Sequence, residues 1–491
     1  MHSTPHRAGR GRRRPAWLAL GLSVALGALG AGPAAAAPAP RCDRAPTGVQ
    51  TSDYWLDFTV PAGLMPDPRF DGRPARIQVH RVQPSYANGR CRGLPTRAAV
   101  LVHGRTVPGP AAFDLRHPAP EGGELSVQKA LAQAGIDTFA PSLLGYGLST
   151  RFADGLDDPG NASLRGYDAD GSCPYPEGCD RTHDPVFPLD QQGSLLMPHP
   201  LQERVAHSSD RRFARTDVWV RDIRQVIDDA VARARPTNGK VTLVGASFGA
   251  VQVGRALYAA NPVLPDSSRT LSKVNRVVFL SSPFGLPTEE TTPPGGFATF
   301  PLTLGGRPAE APLPSEREAV CTGRRIPGAA DRLWTQMQEL DPLGSTWGGA
   351  EPGNPSGLSR TPTFSAYGWN AAVAGQLSPP TLVVHGLDDR EPSSPPSNAT
   401  ALYDALPASM TRKVLVQVQC ASHSLPQEGC TGARCTPASG IPYGGRPGEP
   451  WAGPHATLKA ALIEWIGHGT FGGAPNGRFV VDESGVANPA T

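Results

Sequence analysis

The sequence predicts an α/β fold built on a mostly parallel, doubly wound sheet, with a cap insertion and long loops. Three observations carry this expectation. Short apolar runs alternate with helical stretches along the chain. Several runs end in turns carrying Gly, Ser, His or Asp, at the strand ends where an open parallel sheet keeps its chemistry. One such turn, Gly245-Ala246-Ser247-Phe248-Gly249, joins the apolar run Val241–Val244 to small residues that open a helix.

The elements follow in order. Tyr54–Val60 and Arg76–Val82 read as two strands of an N-terminal hairpin within residues 38–96. The first part of the core, 97–281, starts with strand Ala98–His103, helix Ser126–Ala134 and strand Asp137–Ala140. It carries a long Asp-, Gly- and Pro-rich insertion over 151–216, and loops of this length usually serve function. Helix Asp217–Ala234 spaces Val218, Val220, Ile223, Val226, Ile227 and Val231 for one buried face, then delivers the chain to the Ser247 strand. Strand Asn275–Leu280 comes next.

From 282 to 376 the alternation breaks. A Pro- and Gly-rich opening leads to a helix at Ala329–Leu340 and to the aromatics Phe297, Phe300, Trp334, Trp347, Phe364, Tyr367 and Trp369. This stretch reads as a cap over the site. Most of its rings would form the cap's own small core, with one or two lining an apolar acyl surface. The second part of the core, 377–469, holds an apolar strand at Thr381–His385, a strand at Lys413–Cys420 and a helix at His455–Trp465 with Leu458, Leu462 and Trp465 on one stripe. The tail, 470–491, adds the strand-like piece Arg478–Val481.

Residues 1–37 read as an export address. Arg7, Arg10, Arg12, Arg13 and Arg14 precede an apolar stretch from Ala16 to Leu29, and Ala34–Ala37 supplies a small-residue cleavage site. The arginines permit a twin-arginine route, although Pro15-Ala16-Trp17 fits that pattern poorly, and ordinary secretion is the other route. The apolar stretch is short for a bilayer span, and no second span follows, so no stable membrane span is expected after processing. The formal charge of +3 includes these five arginines, and no acid precedes residue 37, so the processed chain is near −2. Its positive excess leaves with the leader, which argues against a nucleic-acid partner.

Eight cysteines fit an oxidising compartment: Cys42, Cys91, Cys173, Cys179, Cys321, Cys420, Cys430 and Cys435. Sequence leaves the connectivity open. Cys173 with Cys179 closes a local loop, Cys42 with Cys91 ties the hairpin, and a bridge from Cys420 to Cys430 or Cys435 would stiffen the loop before His423. The cysteines lack paired zinc half-sites, and the Asp157-Asp158 and Asp168-x-Asp170-Gly171 loops lack the remaining calcium ligands, so neither metal is expected.

Ser247 is the candidate nucleophile. A serine hydroxyl is nearly inert at neutral pH and needs a base beside it and donors facing the reacting carbonyl. Downstream, strand Thr381–His385 ends in a turn carrying Asp388 and Asp389, either of which can orient a histidine, and His423 follows the Lys413–Cys420 strand as the base. His103 and His385, each before a glycine at a strand end, read as loop braces.

In the order Ser247, Asp389, His423 the chain resembles the α/β-hydrolase superfamily over roughly Arg97 to Ile466, as an exported esterase- or lipase-like member. Ala98–Thr106 looks like its strand and H-G-x oxyanion loop, and Phe139–Ser149 like its next strand and G-Y-G-x-S turn. The resemblance implies that the backbone N–H groups of Arg105 and Phe248 form the oxyanion hole, that Asp389 rather than Asp388 is the acid, and that no cofactor is needed. It implies a small-molecule or lipid-like ester as substrate. The Arg105 side chain itself reads as solvated, with a substrate contact as the alternative. The same triad supports a serine aminopeptidase or amidase and non-hydrolytic chemistry of the lyase or perhydrolase kind; a third reading is a binding protein that keeps the fold without the chemistry.

Overall fold

Alternate side chains of the central strands point into two different cores, which is what a sheet covered on both faces requires. In a computed structural model, β3 (Arg97–Val102) sends Val100 and Val102 to one core and Ala99 and Leu101 to the other. The structure describes residues 45–65, 68–87, 96–105, 107–152, 185–186, 205–206, 214–258, 267–289, 321, 324–342, 364–431 and 433–490. All lie in the contact unit Cys42–Thr491. The export segment, Cys42, Cys91, Cys173, Cys179, both acidic pairs of the 151–216 insertion, and the cap aromatics Phe297, Phe300 and Trp347 fall outside them.

The other strands of the central sheet are β1 (Gly48–Thr59), β2 (Pro74–Ser85), β4 (Ile136–Ser142), β5 (Val241–Ala246), β6 (Val274–Leu280), β7 (Thr381–Gly386), β8 (Lys413–Val418), β9 (Gly477–Val481) and β10 (Ala487–Ala490). They form one sheet in the order β1-β2-β4-β3-β5-β6-β7-β8-β9-β10. Pairings from β4 through β9 are parallel, while those of β2 and β10 are antiparallel. The chain folds as the expected mostly parallel α/β sheet.

Helices α3 (Thr216–Ala234) and α4 (Phe248–Leu257) cover one face, burying Trp219, Ile223, Ile227, Val251 and Val253. On the other face α2 (Val127–Gln133) buries Val127 and Leu131, and α7 (Pro454–His468) buries Leu458, Leu462 and Trp465. The Ser126 hydroxyl caps α2 by accepting from Lys129 N at 2.9 Å, satisfying one amide that the helix leaves open. Helix α6 (Pro396–Ala405) packs on the first face with Ala399 and Leu402, and α1 (Gly109–Phe113) and α5 (Ala329–Glu339) share a smaller core.

Two expectations about the cap aromatics are corrected. Tyr367 and Trp369 belong to the hydrolase core: Trp369 is fully buried 4.9 Å from the Phe279 ring, and Tyr367 donates its hydroxyl to the buried Asp217 of α3 at 2.6 Å. Gly254 of α4 leaves room for the indole, since a Cβ there would stand 2.2 Å from it. Trp334 of α5 packs with Ala111, Leu115, Leu125 and Met337 in a separate small core under α1.

The N-terminal hairpin is joined to the core by an ionic cluster centred on buried His80 and Asp114, with Asp53 at its exposed edge. His80 Nδ1 meets Asp53 and Nε2 meets Asp114, each at 3.0 Å, and Ser126 Oγ donates to Asp114 at 2.5 Å. Burial opposes the charge on His80, but hydrogen bonds to Asp114 and Asp53 raise its pKa to about 9. A histidine raised from 6.5 stabilises the fold fully below pH 6.5 and loses that contribution as pH climbs through 9. His80→Ala is therefore expected to cost about 3 kcal/mol near pH 6, because it strands a buried carboxylate. Chemical denaturation at pH 6 and pH 10 checks this: the gap between wild type and variant should shrink at the higher pH, and a pH-independent gap would contradict the ionic reading.

Candidate active site

The site is assembled at the carboxyl ends of β3, β5, β6, β7 and β8. Ser247 follows β5 directly and has φ 51° and ψ −125°, a backbone that a side-chain-bearing residue adopts only at a strain cost. The strain turns the chain from strand into α4 within one residue and leaves the hydroxyl at the crest, outside the helix's capping bonds. Two glycines make the turn possible. A Cβ on Gly245 would stand 2.6 Å from Gly249 O, and one on Gly249 would stand 2.3 Å from Val102 O.

Gly104 brings the β3 loop against the same crest, since a Cβ there would meet Ser247 Cβ at 2.9 Å. His103 fixes this loop. Its Nδ1–H donates to Gly104 O at 2.6 Å and its Nε2 accepts from Leu143 N at 3.0 Å, while full burial lowers its pKa to about 4 and keeps it neutral. Phe248 N lies at the first position of α4, where helical amides point outward, and Arg105 follows Gly104. Of the two readings of the Arg105 side chain, the partly buried position fits the substrate-facing one better than the solvated one. The side chain lines the cavity beside Ser247 with its guanidinium 5.6 Å from the Phe248 ring, and burial pulls its pKa down to about 10.

Asp389 and His423 meet as the strand order predicts. His423 Nδ1 lies 2.8 Å from Asp389 Oδ2. Burial alone would raise the Asp389 pKa, but hydrogen bonds from His385 and His423 hold it at about 2. An ionised carboxylate accepts only, so His423 carries its proton on Nδ1 and leaves Nε2 free to take another. Burial disfavours the imidazolium, yet the hydrogen bond and charge of Asp389, with the charge of Glu391, raise the His423 pKa above its ordinary value. Asp388 faces away, accepting from Cys420 N at 3.0 Å, so the imidazole is oriented by Asp389.

The structure adds residues around this pair: His385, which the sequence offers as a loop brace, and Glu391, Ser394 and Glu428, which no sequence pattern singled out. His385, fully buried, directs Nε2–H to Ser394 O at 2.9 Å and to Asp389 Oδ2 at 3.1 Å, and Glu391 N donates to Asp389 Oδ1 at 2.9 Å. Ser394 Oγ lies 3.1 Å from His423 Nδ1. Buried Glu428 accepts from Ser422 N at 2.7 Å and from Ser422 Oγ at 2.5 Å, and pairs with buried Arg324 at 2.9 Å. That carboxylate therefore anchors the residue before the imidazole to the segment leading into α5.

The disulfide expectation for this loop is corrected. Cys420 pairs with Cys321, across 99 residues, and Cys430 pairs with Cys435. Cys420 stands just past β8 with φ 57°, and Cys430 and Cys435, five residues apart, close their own short turn. The loop that carries His423 is still tied down, to Cys321 instead of its neighbours.

Ser247 and His423 border one cavity of about 430 Å³, a volume suited to a small-molecule ligand. Its apolar wall comes from Val107, Phe113, Leu280, Leu333, Leu425 and Leu458, and its polar wall from Arg105, Ser281, Arg390, Glu391, Ser422 and Ser424. The phenyl ring in this lining, Phe113, comes from α1; the cap stretch contributes Ala330 and Leu333. Among the described residues no cluster of His, Cys, Asp or Glu has a metal-binding arrangement, and no helix is long and apolar enough to cross a membrane.

Comparison with known proteins bears on this geometry. No curated protein matches the chain. Among solved structures, a bromoperoxidase from Bacillus anthracis is 15% identical, with 72% of this chain and 90% of that one covered and a TM-score of 0.35. A Paleococcus ferrophilus monoacylglycerol lipase is 14% identical over 84% of this chain and 98% of its own, at a TM-score of 0.33. An esterase from Exiguobacterium antarcticum is 12% identical over 71% of this chain and 89% of its own, at 0.32. Identities this low say nothing of substrate. The family model for the alpha/beta hydrolase fold matches residues 110–428, a span that includes Ser247, Asp389 and His423, and the chain belongs to that family.

Proposed function

We propose that the protein is a serine hydrolase that cleaves carboxylic esters through an acyl-enzyme on Ser247. The observation that carries this reading is the Asp389–His423 hydrogen bond beside a cavity that also holds Ser247 on its strained turn. Ser247 Oγ attacks the carbonyl carbon and its proton passes to His423 Nε2; the carbonyl electron pair moves onto oxygen, which faces the backbone N–H groups of Arg105 and Phe248. Collapse breaks the bond to the alcohol oxygen, which takes the proton from the imidazolium. Water repeats the sequence on the acyl-enzyme, using the same imidazole, and releases the acid. Asp389 stays ionised throughout and holds the imidazole in its reactive tautomer.

A serine aminopeptidase is the second reading, and Glu391 in the cavity wall is the feature that favours it, as a partner for a substrate amino group. The Arg105 and Arg390 cations in the same wall offset that carboxylate, so the ester reading is preferred. Parallel assays on aryl esters and aminoacyl amides separate the two: ester turnover should exceed amide turnover by orders of magnitude, and the reverse ranking would overturn the assignment. Export remains part of the proposal, supported by the Cys321–Cys420 and Cys430–Cys435 disulfides, which persist in oxidising compartments.

The raised pKa of His423 sets a pH expectation. Only the neutral imidazole takes the serine proton, so kcat/KM should fall as pH drops through that pKa, with its acid limb above pH 6.5. A pH–rate profile whose acid limb lies at or below pH 6 would contradict the Asp389 pairing.

A further inference from the structure

Four non-glycine residues have positive φ among the described residues, and three of them, Ser247, Ser281 and Cys420, follow strands of the site. Ser247 and Cys420 are accounted for above. Ser281 is not. It follows β6 with φ 44°, a backbone that glycine would adopt without strain, and its amide is locked by donation to Val384 O at 2.9 Å. Only 5% of the residue is exposed, and Ser281 lines the cavity that Ser247 borders. No hydrogen bond holds its hydroxyl among the described residues. Strain retained at a residue whose polar group is uncommitted and points into a cavity indicates a ligand contact.

The register says which part of a ligand. Ala246 pairs with Leu280, so Ser247 and Ser281 leave adjacent strands at the same level, roughly 5 Å apart. The strand order is β3, β5, β6, β7, β8. The oxyanion loop after β3 lies on one flank of Ser247. Ser281 lies on the other, the flank from which His423 approaches after β8. The imidazole hands its proton to the departing alcohol oxygen, so the alcohol half of the ester occupies this flank.

We propose that Ser281 determines specificity by hydrogen-bonding a polar group on the alcohol half of the ester, about three bonds from the leaving oxygen, so that esters of hydroxylated alcohols are preferred substrates. This deepens the ester-hydrolase reading and rests on it. The test compares 2-hydroxyethyl butyrate with propyl butyrate, which differ by a hydroxyl in place of a methyl, on wild type, Ser281→Ala and Ser281→Gly. Ala keeps the Cβ and the strain while Gly removes both, so a purely structural role would separate the two variants and spare the substrate ratio.

The expected result is a wild-type kcat/KM ratio favouring the hydroxyethyl ester, reduced in both variants by about two- to tenfold, the range of a single neutral hydrogen bond. Propyl 3-hydroxybutyrate, with the hydroxyl moved to the acyl side, should show no Ser281-dependent preference. An equal fall for both butyrates, an unchanged ratio, no wild-type preference, or a Ser281-dependent preference for the acyl-side hydroxyl each overturns the proposal. If wild type hydrolyses none of the esters, the ester reading falls and this one with it; if it hydrolyses them without discrimination, only this one falls.

Discussion

Ser247→Ala is expected to lower kcat for ester hydrolysis by about 10⁶-fold, the loss seen when a nucleophile of this kind is removed. The fold should survive. The change deletes one hydroxyl that makes no capping bond, and alanine meets the same backbone strain at φ 51° that serine already meets. Circular dichroism and a thermal unfolding midpoint within a few degrees of wild type separate loss of chemistry from loss of structure. Retention of more than about a thousandth of the wild-type turnover, with the fold intact, would remove Ser247 from the mechanism.

Asp389→Asn is expected to lower kcat by about 10⁴-fold. The carboxylate accepts three hydrogen bonds, from His423, His385 and Glu391 N, and an amide cannot accept them all. An amide N–H facing His423 Nδ1 favours the tautomer with its proton on Nε2, so the imidazole points its proton at Ser247 instead of receiving one. Loss of the negative charge also lowers the His423 pKa, so the acid limb of the residual activity should move to lower pH. Asp388→Asn changes a carboxylate that faces Cys420 N and should cost far less turnover. If the two variants lose activity equally, Asp389 is not the acid.

The parts of the fold that were legible in the sequence are those in which one local pattern matches one local structure. The apolar run before Ser247 reports a strand buried on both faces, and the helical spacing of Val218, Ile223, Val226 and Ile227 and the stripe of Leu458, Leu462 and Trp465 each report burial of a single helix face. The order of Ser247, Asp389 and His423 was legible for a related reason, since each follows a strand end and a parallel sheet gathers those ends on one edge.

What stayed hidden depends on contacts between distant segments. Trp369 and Tyr367 look like cap residues because a Pro- and Gly-rich stretch precedes them, but their partners Phe279 and Asp217 lie far upstream. The Cys321–Cys420 pairing spans 99 residues, and no spacing rule prefers it to a bridge with Cys430. Helix α6 carries Pro396 at its start, and its buried positions Ala399, Leu402 and Tyr403 are too few to give a strong periodic signal. His385 and Glu428 act on the base through Asp389 and Ser422, a relation that exists only once the loops are folded.

The proposal that Ser247 owes its reactivity to His423 is tested most directly by covalent labelling. Intact-mass spectrometry after brief exposure to a fluorophosphonate, followed by peptide mapping, should find one adduct on Ser247 in wild type. Labelling should be slowed by orders of magnitude in His423→Ala and absent in Ser247→Ala. An unmodified Ser247 in folded wild type, or a labelling rate that His423→Ala leaves unchanged, would contradict it.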